Sequence, residues 1–456
     1  MPAPSSAPTL ARRLGPYDAA AIIVSNVIGG GILFTPPQIA AAVPSALPFL
    51  STWIAGGLLA FAGAMAYAEL GALRPRAGGE YVYLREAFGR LIGFLTGWTS
   101  FVAGFAGAMA TSAVVVPFYL DRFFPGAGSS APFLALPIVP GWFELSFSPQ
   151  TVIALATVWG LAWIHLRGVG PGRIVGNILA ILKVSAFVMF IALGFSIGQG
   201  NAGNVAQAAP VAVTGWLLAL IPVMFTYSGW NAAAYVAEEI RDPGRNVPKA
   251  LAFGTLAVVL IYVLVNVLYL YVFPAGELAT IQGSVLDVVA ERLLGAAAGN
   301  VMGVVGIISL LASISAMTFA GPRVYFAMAR DGLFFRAAER VHPRYQTPAV
   351  SILAQAGWTS VLVLSATADA LATYTGFAIM LFSGIAVAAL FVLRRREPDA
   401  ERPFRAWGYP VAPGIYVVAA AAIVINGLIN APGSTGWGAL IILAGVPLFY
   451  WFRARS

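Results

Sequence analysis

Apolar stretches long enough to cross a bilayer recur along almost the whole of this 456-residue chain. A spanning helix needs about 20 predominantly apolar residues. Twelve segments meet that description, near 19–43, 47–70, 88–120, 149–166, 172–197, 213–238, 249–273, 297–328, 348–366, 370–393, 411–430 and 435–452. Lipid offers no partners for backbone N–H and C=O groups, so segments of this length must form helices. The third and eighth are long enough to require tilting. With 59% hydrophobic and 10% charged residues, little is left to fold outside the membrane. The expectation is an all-α integral membrane protein: an N-terminal tail (1–18) and one transmembrane domain (19–456). The first apolar segment is too long for a signal-peptide core and lacks a clear cleavage site, so it should be retained.

The basic residues set an orientation. If the N-terminus lies in the cytoplasm, all but three of the 26 Lys and Arg residues fall in cytoplasmic segments. Arg122 and Arg292 fall outside, and Lys183 falls within segment five. That asymmetry predicts both termini in the cytoplasm and a location in the cytoplasmic membrane. It also explains the net charge of +8 by topology, so no nucleic-acid partner is expected. The absence of cysteine excludes a disulfide-linked subunit and a thiolate site. His165 and His342, the two histidines, sit near helix ends and read as interfacial residues. No metal or cofactor set is expected, and neither a Ser/His/Asp group nor a continuous polar pore supports an enzyme or a channel.

Two segments carry polar interruptions. In the first, Gly29, Gly30 and Gly31 are consecutive. Each costs about 1 kcal/mol of helix propensity relative to alanine, so the helix is predicted to unwind there. Such a break survives only where it is buried in protein or lines a cavity. Glycine amides at a half-helix N-terminus suit a carboxylate, and the carbonyls ending the preceding half suit an ammonium. A glycine face for close helix packing is the competing reading. The sixth segment supports the break. There Pro222 removes a helix hydrogen bond, and Tyr227-Ser-Gly-Trp-Asn231 places polar groups at mid-membrane depth. Interrupted helices five segments apart, running in opposite directions, are what an inverted repeat would give.

Four stretches then resemble the amino acid–polyamine–organocation transporter superfamily. They are Ile28-Gly-Gly-Gly-Ile-Leu-Phe34, Arg76-Ala-Gly-Gly-Glu-Tyr-Val-Tyr-Leu-Arg-Glu-Ala-Phe-Gly89, the run from Phe225-Thr-Tyr-Ser-Gly-Trp-Asn231 to Lys249, and Arg323-Val-Tyr-Phe-Ala-Met-Ala-Arg-Asp-Gly332. The sixth-segment stretch is most similar to the L-type amino acid transporter branch and its bacterial relatives. The resemblance implies twelve transmembrane helices in a five-plus-five inverted repeat with helices one and six broken. The repeats would be 19–197 and 213–393, with two extra helices at 411–452. It implies a substrate site at Val27, Ile28, Gly29, Gly30, Gly31, Phe225, Thr226, Ser228 and Asn231. The glycine amides would hold the substrate carboxylate, and the carbonyls of Val27, Phe225 and Ser228 its ammonium. The Phe225 ring would gate the site, and Thr226 and Asn231 would lie near the side chain. Relatives commonly carry serine where this chain has Gly30.

Lys183 is expected to be functional, because a lysine at a helix centre is costly. The resemblance implies that it fills the space of a sodium ion in sodium-coupled cousins. It could stay charged, which fits exchange, or lose its proton, which fits proton coupling. Glu238 and Glu239 read as a salt-bridge cluster with Arg241 and Arg245, or as an inner gate. Asn266 reads as an interhelical hydrogen bond. With Lys183 the one ionisable residue expected at the depth of the breaks, the substrate should be a neutral amino acid. Cationic amino acids or amines on the same fold, and an amino-acid sensor with little flux, remain open alternatives.

Overall fold

The computed structural model describes residues 10–139, 143–365, 368–430 and 432–455. The first nine residues of the expected cytoplasmic tail lie outside this set. Apart from one hairpin, the described chain is helical. Among the described residues, ten helices are long and apolar enough to cross a bilayer. Val213–Tyr227 and Ala349–Leu364, in the sixth and ninth expected segments, are shorter apolar helices. Large apolar side chains such as Ile181, Val188, Phe253 and Val418 are exposed on the bundle's flanks, as lipid-facing surfaces require.

Helix starts follow local chemistry. Pro16 opens the first helix, where its missing N–H costs nothing, and Asp18 accepts from the Gly15 amide at 2.7 Å. Pro149 follows the N-cap Ser148, whose side chain accepts from the Thr151 amide. The first helix, Pro16–Val27, ends just before the glycine run, and the chain resumes as Gly30–Phe34 and Pro36–Ala42. The sixth segment runs straight through Pro222 and breaks only after Tyr227. Gly229 has φ +100°, a conformation that glycine alone adopts without strain. Beyond it the chain forms only a turn at Ala232–Tyr235 and a 3-10 turn at Ala237–Glu239. A separate helix, Glu80–Phe88, precedes the third segment, and Gly89 (φ +96°) turns the chain into Arg90–Thr99.

The arginine-rich loops converge on one end of the bundle. Arg74 joins Glu86 to Glu397 at 2.5 and 2.6 Å. Buried Glu69 is held by Arg394 at 2.5 Å and Arg402 at 3.2 Å. Contrary to expectation, Glu238 and Glu239 do not pair with Arg241 and Arg245. The 3-10 turn aims them into the bundle, where Glu238 meets Arg330 at 2.9 Å and Glu239 meets Arg323 at 2.7 Å. The chain ahead of the first helix straps across this end. The amides of Arg13 and Leu14 both donate to the Glu239 carbonyl at 2.9 Å, and the Arg241 amide donates to the Leu14 carbonyl at 2.9 Å.

The opposite end carries the departure from an all-helical reading. Leu134–Val139 pairs antiparallel with Phe143–Phe147. This stretch lies between apolar segments three and four, and bilayer-length windows do not register five- or six-residue strands. Two further differences concern single residues. His165 is not interfacial but buried, with Nε2 2.8 Å from Ser315 Oγ, because the next helix, Val169–Ser196, packs Gly172 against the ring, where a Cβ would sit 2.5 Å from Nδ1. Asn266 does not reach another helix; its amide donates to the Tyr262 carbonyl one turn earlier at 2.8 Å.

The Glu239–Arg323 pair is almost wholly enclosed, with side chains 0% and 1% exposed. Removing one partner strands a buried charge and costs about 3–5 kcal/mol. Thermal unfolding of detergent-purified Glu239→Met should therefore show a large fall in midpoint, most of it restored in the Glu239→Met/Arg323→Met double variant.

Candidate functional site

The two helix breaks face each other across one cavity of about 470 Å³, a size that suits a small organic molecule. Val27, Gly29, Gly30 and Gly31 line it from the first helix; Phe225, Thr226, Ser228, Gly229 and Asn231 line it from the sixth. At one end the lining reaches Gln38, which is exposed. At the other it ends on Glu80, Asn231 and Tyr235, beneath which lie the Glu238 and Glu239 ion pairs and the N-terminal strap.

The glycines are required by crowding as well as by unwinding. A Cβ at Gly31 would sit 3.0 Å from the Thr226 Cα, and one at Gly29 would sit 3.0 Å from Ser313 Oγ. A Cβ at Gly30 would find its nearest neighbour, Leu310, at 3.9 Å. The second half-helix starts at Gly30 with no side-chain cap. Its first-turn amides lack helical acceptors and are free for a ligand's oxygens.

The carbonyls at the end of the first half, Pro16–Val27, are more heavily used than the sequence suggested. Lys183 is 0% exposed and donates to the Ser25 carbonyl at 3.1 Å and to the Ile28 carbonyl. Ile28 itself is fully buried and is not part of the cavity wall. The Tyr262 hydroxyl lies 2.8 Å from the Val27 carbonyl and 3.2 Å from the Thr226 carbonyl, so it spans both breaks. A carbonyl has two lone pairs, and the Val27 oxygen can still accept from a ligand ammonium. The Phe225 carbonyl accepts from the Ser228 amide at 3.0 Å. Thr226 Oγ1 donates back to the Pro222 carbonyl at 2.8 Å, which stabilises the last turn before the break.

Several cavity residues were not anticipated. Asn26 and Ser313 flank the glycine run, and Thr96, Thr99 and Ser100 add hydroxyls from the third helix. Ser100–Gly104 is a π-helical turn, which swings Ser100 and Gly104 into the wall. Nothing in the composition of Ser100-Phe-Val-Ala-Gly104 signals that bulge. Glu80 corrects the expectation that Lys183 is alone at this depth. It is 7% exposed and lines the cavity, accepting from the Tyr67 hydroxyl at 2.6 Å and from Asn231 Nδ2 at 2.5 Å. A glutamate in a loop motif gave no sign that its helix would tuck beneath the sixth-segment break.

Among the described residues no cluster of His, Cys, Asp and Glu could hold a metal ion. The chain resembles known transport proteins along nearly its full length. It is 30% identical to the Asc-type amino acid transporter 1 of Mus musculus, over 97% of this chain and 81% of the relative. It is 27% identical to the serine/threonine exchanger SteT of Bacillus subtilis (strain 168), over 98% of each. It is 29% identical to the large neutral amino acids transporter small subunit 2 of Homo sapiens, over 97% of this chain and 80% of the relative. The sequence pattern described as amino acid permease matches residues 14–452. With both helix breaks on one cavity and that match along its length, the chain belongs to the amino acid permease family, a family of membrane transporters and not of enzymes.

Proposed function

We propose that this protein exchanges neutral α-amino acids across the cytoplasmic membrane by alternating access, without sodium. The observation that carries the reading is the meeting of two helix breaks on one cavity. Amides at Gly29–Gly31 take the substrate carboxylate. Spare lone pairs on the carbonyls of Val27, Phe225 and Ser228 take its ammonium. Phe225 covers the bound molecule, and Thr226 and Asn231 border its side chain. The names of the relatives, two for neutral amino acids or serine and threonine, support the substrate class and exchange. In this reading both termini are cytoplasmic, and the halves 19–197 and 213–393 form the inverted repeat that rocks about the site.

Lys183 supports sodium independence. Its ammonium satisfies carbonyls of the unwound first helix that a cation would otherwise coordinate. Glu80 favours a second reading, in which a substrate with a cationic side chain is paired by a carboxylate in the wall. The relatives named for neutral amino acids or for serine and threonine favour the neutral substrate.

Counterflow in proteoliposomes tests the function: internal serine, alanine or leucine should accelerate uptake of labelled neutral amino acid. Uptake of lysine or arginine with no neutral transport would favour the second reading. Replacing external sodium by choline should leave the rate unchanged, and Lys183→Met should lower it at least about tenfold, the loss expected when a charged donor leaves polar groups unpaired. Gly30→Ser fits the space available, and its hydroxyl adds a donor to the carboxylate. A hydrogen bond to a charged group contributes about 1.5–3 kcal/mol, so KM should fall by at least about tenfold. Gly31→Val collides with the Thr226 backbone and should abolish exchange in protein that still purifies as a single species.

A further inference from the structure

The charged groups of the arginine-rich end follow one rule with one exception. Buried Glu69 has Arg394 and Arg402, Glu239 has Arg323, and Glu238 has Arg330. Glu80 is buried as well, yet among the described residues it has no basic partner within ion-pair distance. Its donors are neutral: the Tyr67 hydroxyl and the Asn231 amide, with Asn231 also 3.1 Å from the Tyr235 hydroxyl. An unpaired buried carboxylate is costly, and such a group relieves the cost by taking a proton.

Its position gives that proton a mechanical role. Glu80 opens the loop helix Glu80–Phe88, whereas Asn231 ends the break in the sixth segment. The hydrogen bond between them ties the inner part of the broken segment to the loop that closes the cavity floor. A second contact runs parallel, from the Gly78 amide to the Tyr235 carbonyl at 3.1 Å. We propose that Glu80 is a proton-binding latch: its carboxylate holds the inner part of the sixth segment shut, and its protonation releases that part to open the cavity toward the arginine-rich end. A hydrogen bond to an ionised acceptor is about twice as strong as one between neutral groups, so protonation weakens both of its ties.

The surroundings leave Glu80 as the group that titrates. The residues facing it are Tyr67 from Ala46–Leu73, Tyr83 from its own helix, Tyr235 beyond the break and Tyr416 from Val411–Asn430. The basic groups on adjoining elements are engaged elsewhere: Arg85 on Asp331, Arg90 on the Asp331 carbonyl, and Arg323, Arg330 and Arg394 on their glutamates. Burial pushes the Glu80 carboxyl above its ordinary range, against the opposing pull of its donors, so it takes a proton more readily than an exposed glutamate. Burial also acts on Glu238, but bonds from the Ala77 amide, Arg330 and the Leu10 amide outweigh it and hold that carboxyl below its usual range. Glu238 therefore stays ionised while Glu80 titrates.

The inference rests on the alternating-access reading, and its test is independent of transport. The native chain has no cysteine, so one introduced thiol is a unique reporter. Ala77 is 0% exposed and packs with Leu10 and Phe326 on the floor that must open. Protein carrying Ala77→Cys, in nanodiscs, is labelled with a maleimide from pH 8 to pH 5. The rate is divided by that of Ala77→Cys/Glu80→Gln, which cancels the pH dependence of the thiol itself. Glutamine stands for the protonated form, so the ratio should approach one at pH 5 and lie about fivefold or more below one at pH 8. Tyr67→Phe removes a donor that favours the carboxylate, so its labelling midpoint, in the Ala77→Cys background, should move to higher pH. A ratio that does not change with pH overturns the latch. So does an unmoved Tyr67→Phe midpoint, which decides the matter even where Glu80→Gln fails to fold. Intact pH-dependent labelling without amino acid exchange would leave the latch standing and sink the transport reading instead.

Discussion

The architecture depends on how the carbonyls at the end of the first half-helix are satisfied. An unwound turn at mid-membrane depth exposes acceptors that lipid cannot serve. Lys183 reaches across from the fifth helix to Ser25 and Ile28, and the Tyr262 hydroxyl takes Val27 while also reaching Thr226. These two side chains make the break a stable structure. Without them, the first half-helix would either rewind through the glycines or admit water. The cavity is the space left when neither happens.

The same logic organises the end of the molecule beneath the cavity. Its closure is electrostatic, with buried carboxylates matched to arginines from distant parts of the chain. The backbone strap at Arg13 and Leu14 adds directionality. Charged pairs hold well while desolvated and are easily rehydrated once a gap opens. A floor built this way can be firm in one state and open in another without rearranging an apolar core. The flanks of the bundle, facing lipid, have no such freedom and are covered by aliphatic and aromatic side chains.

Much of this was legible in the sequence, for reasons that differ by element. Bilayer-length apolar runs marked the helices because hydrocarbon thickness sets their length. The glycine triplet and the Ser228–Asn231 stretch marked the breaks because helix propensity is a local property. What local patterns do not encode is which distant group meets which. Tyr262 is one tyrosine among sixteen, and only the packing of its helix between the two breaks gives it a role. Glu80 drew no separate reading from the sequence, because nothing local to Gly78-Gly-Glu-Tyr81 marks it as a cavity residue. Its burial comes from Asn231 and Tyr67, which lie far from it along the chain. The Glu238 and Glu239 partners were misjudged for the same reason: nearby arginines in sequence were outcompeted by arginines one helix face away.

The glycines on the two broken helices have a reciprocal geometry. Gly31 on the first abuts Thr226 on the second, and Gly229 on the second abuts Asn26 on the first. Each helix is thinned to bare backbone opposite a side chain of the other, so the two mesh like teeth of paired gears. Neither can tilt far without carrying its neighbour. A cargo that touches only one break can thereby be sensed by both, and the pair acts as a single moving part although half the chain lies between them.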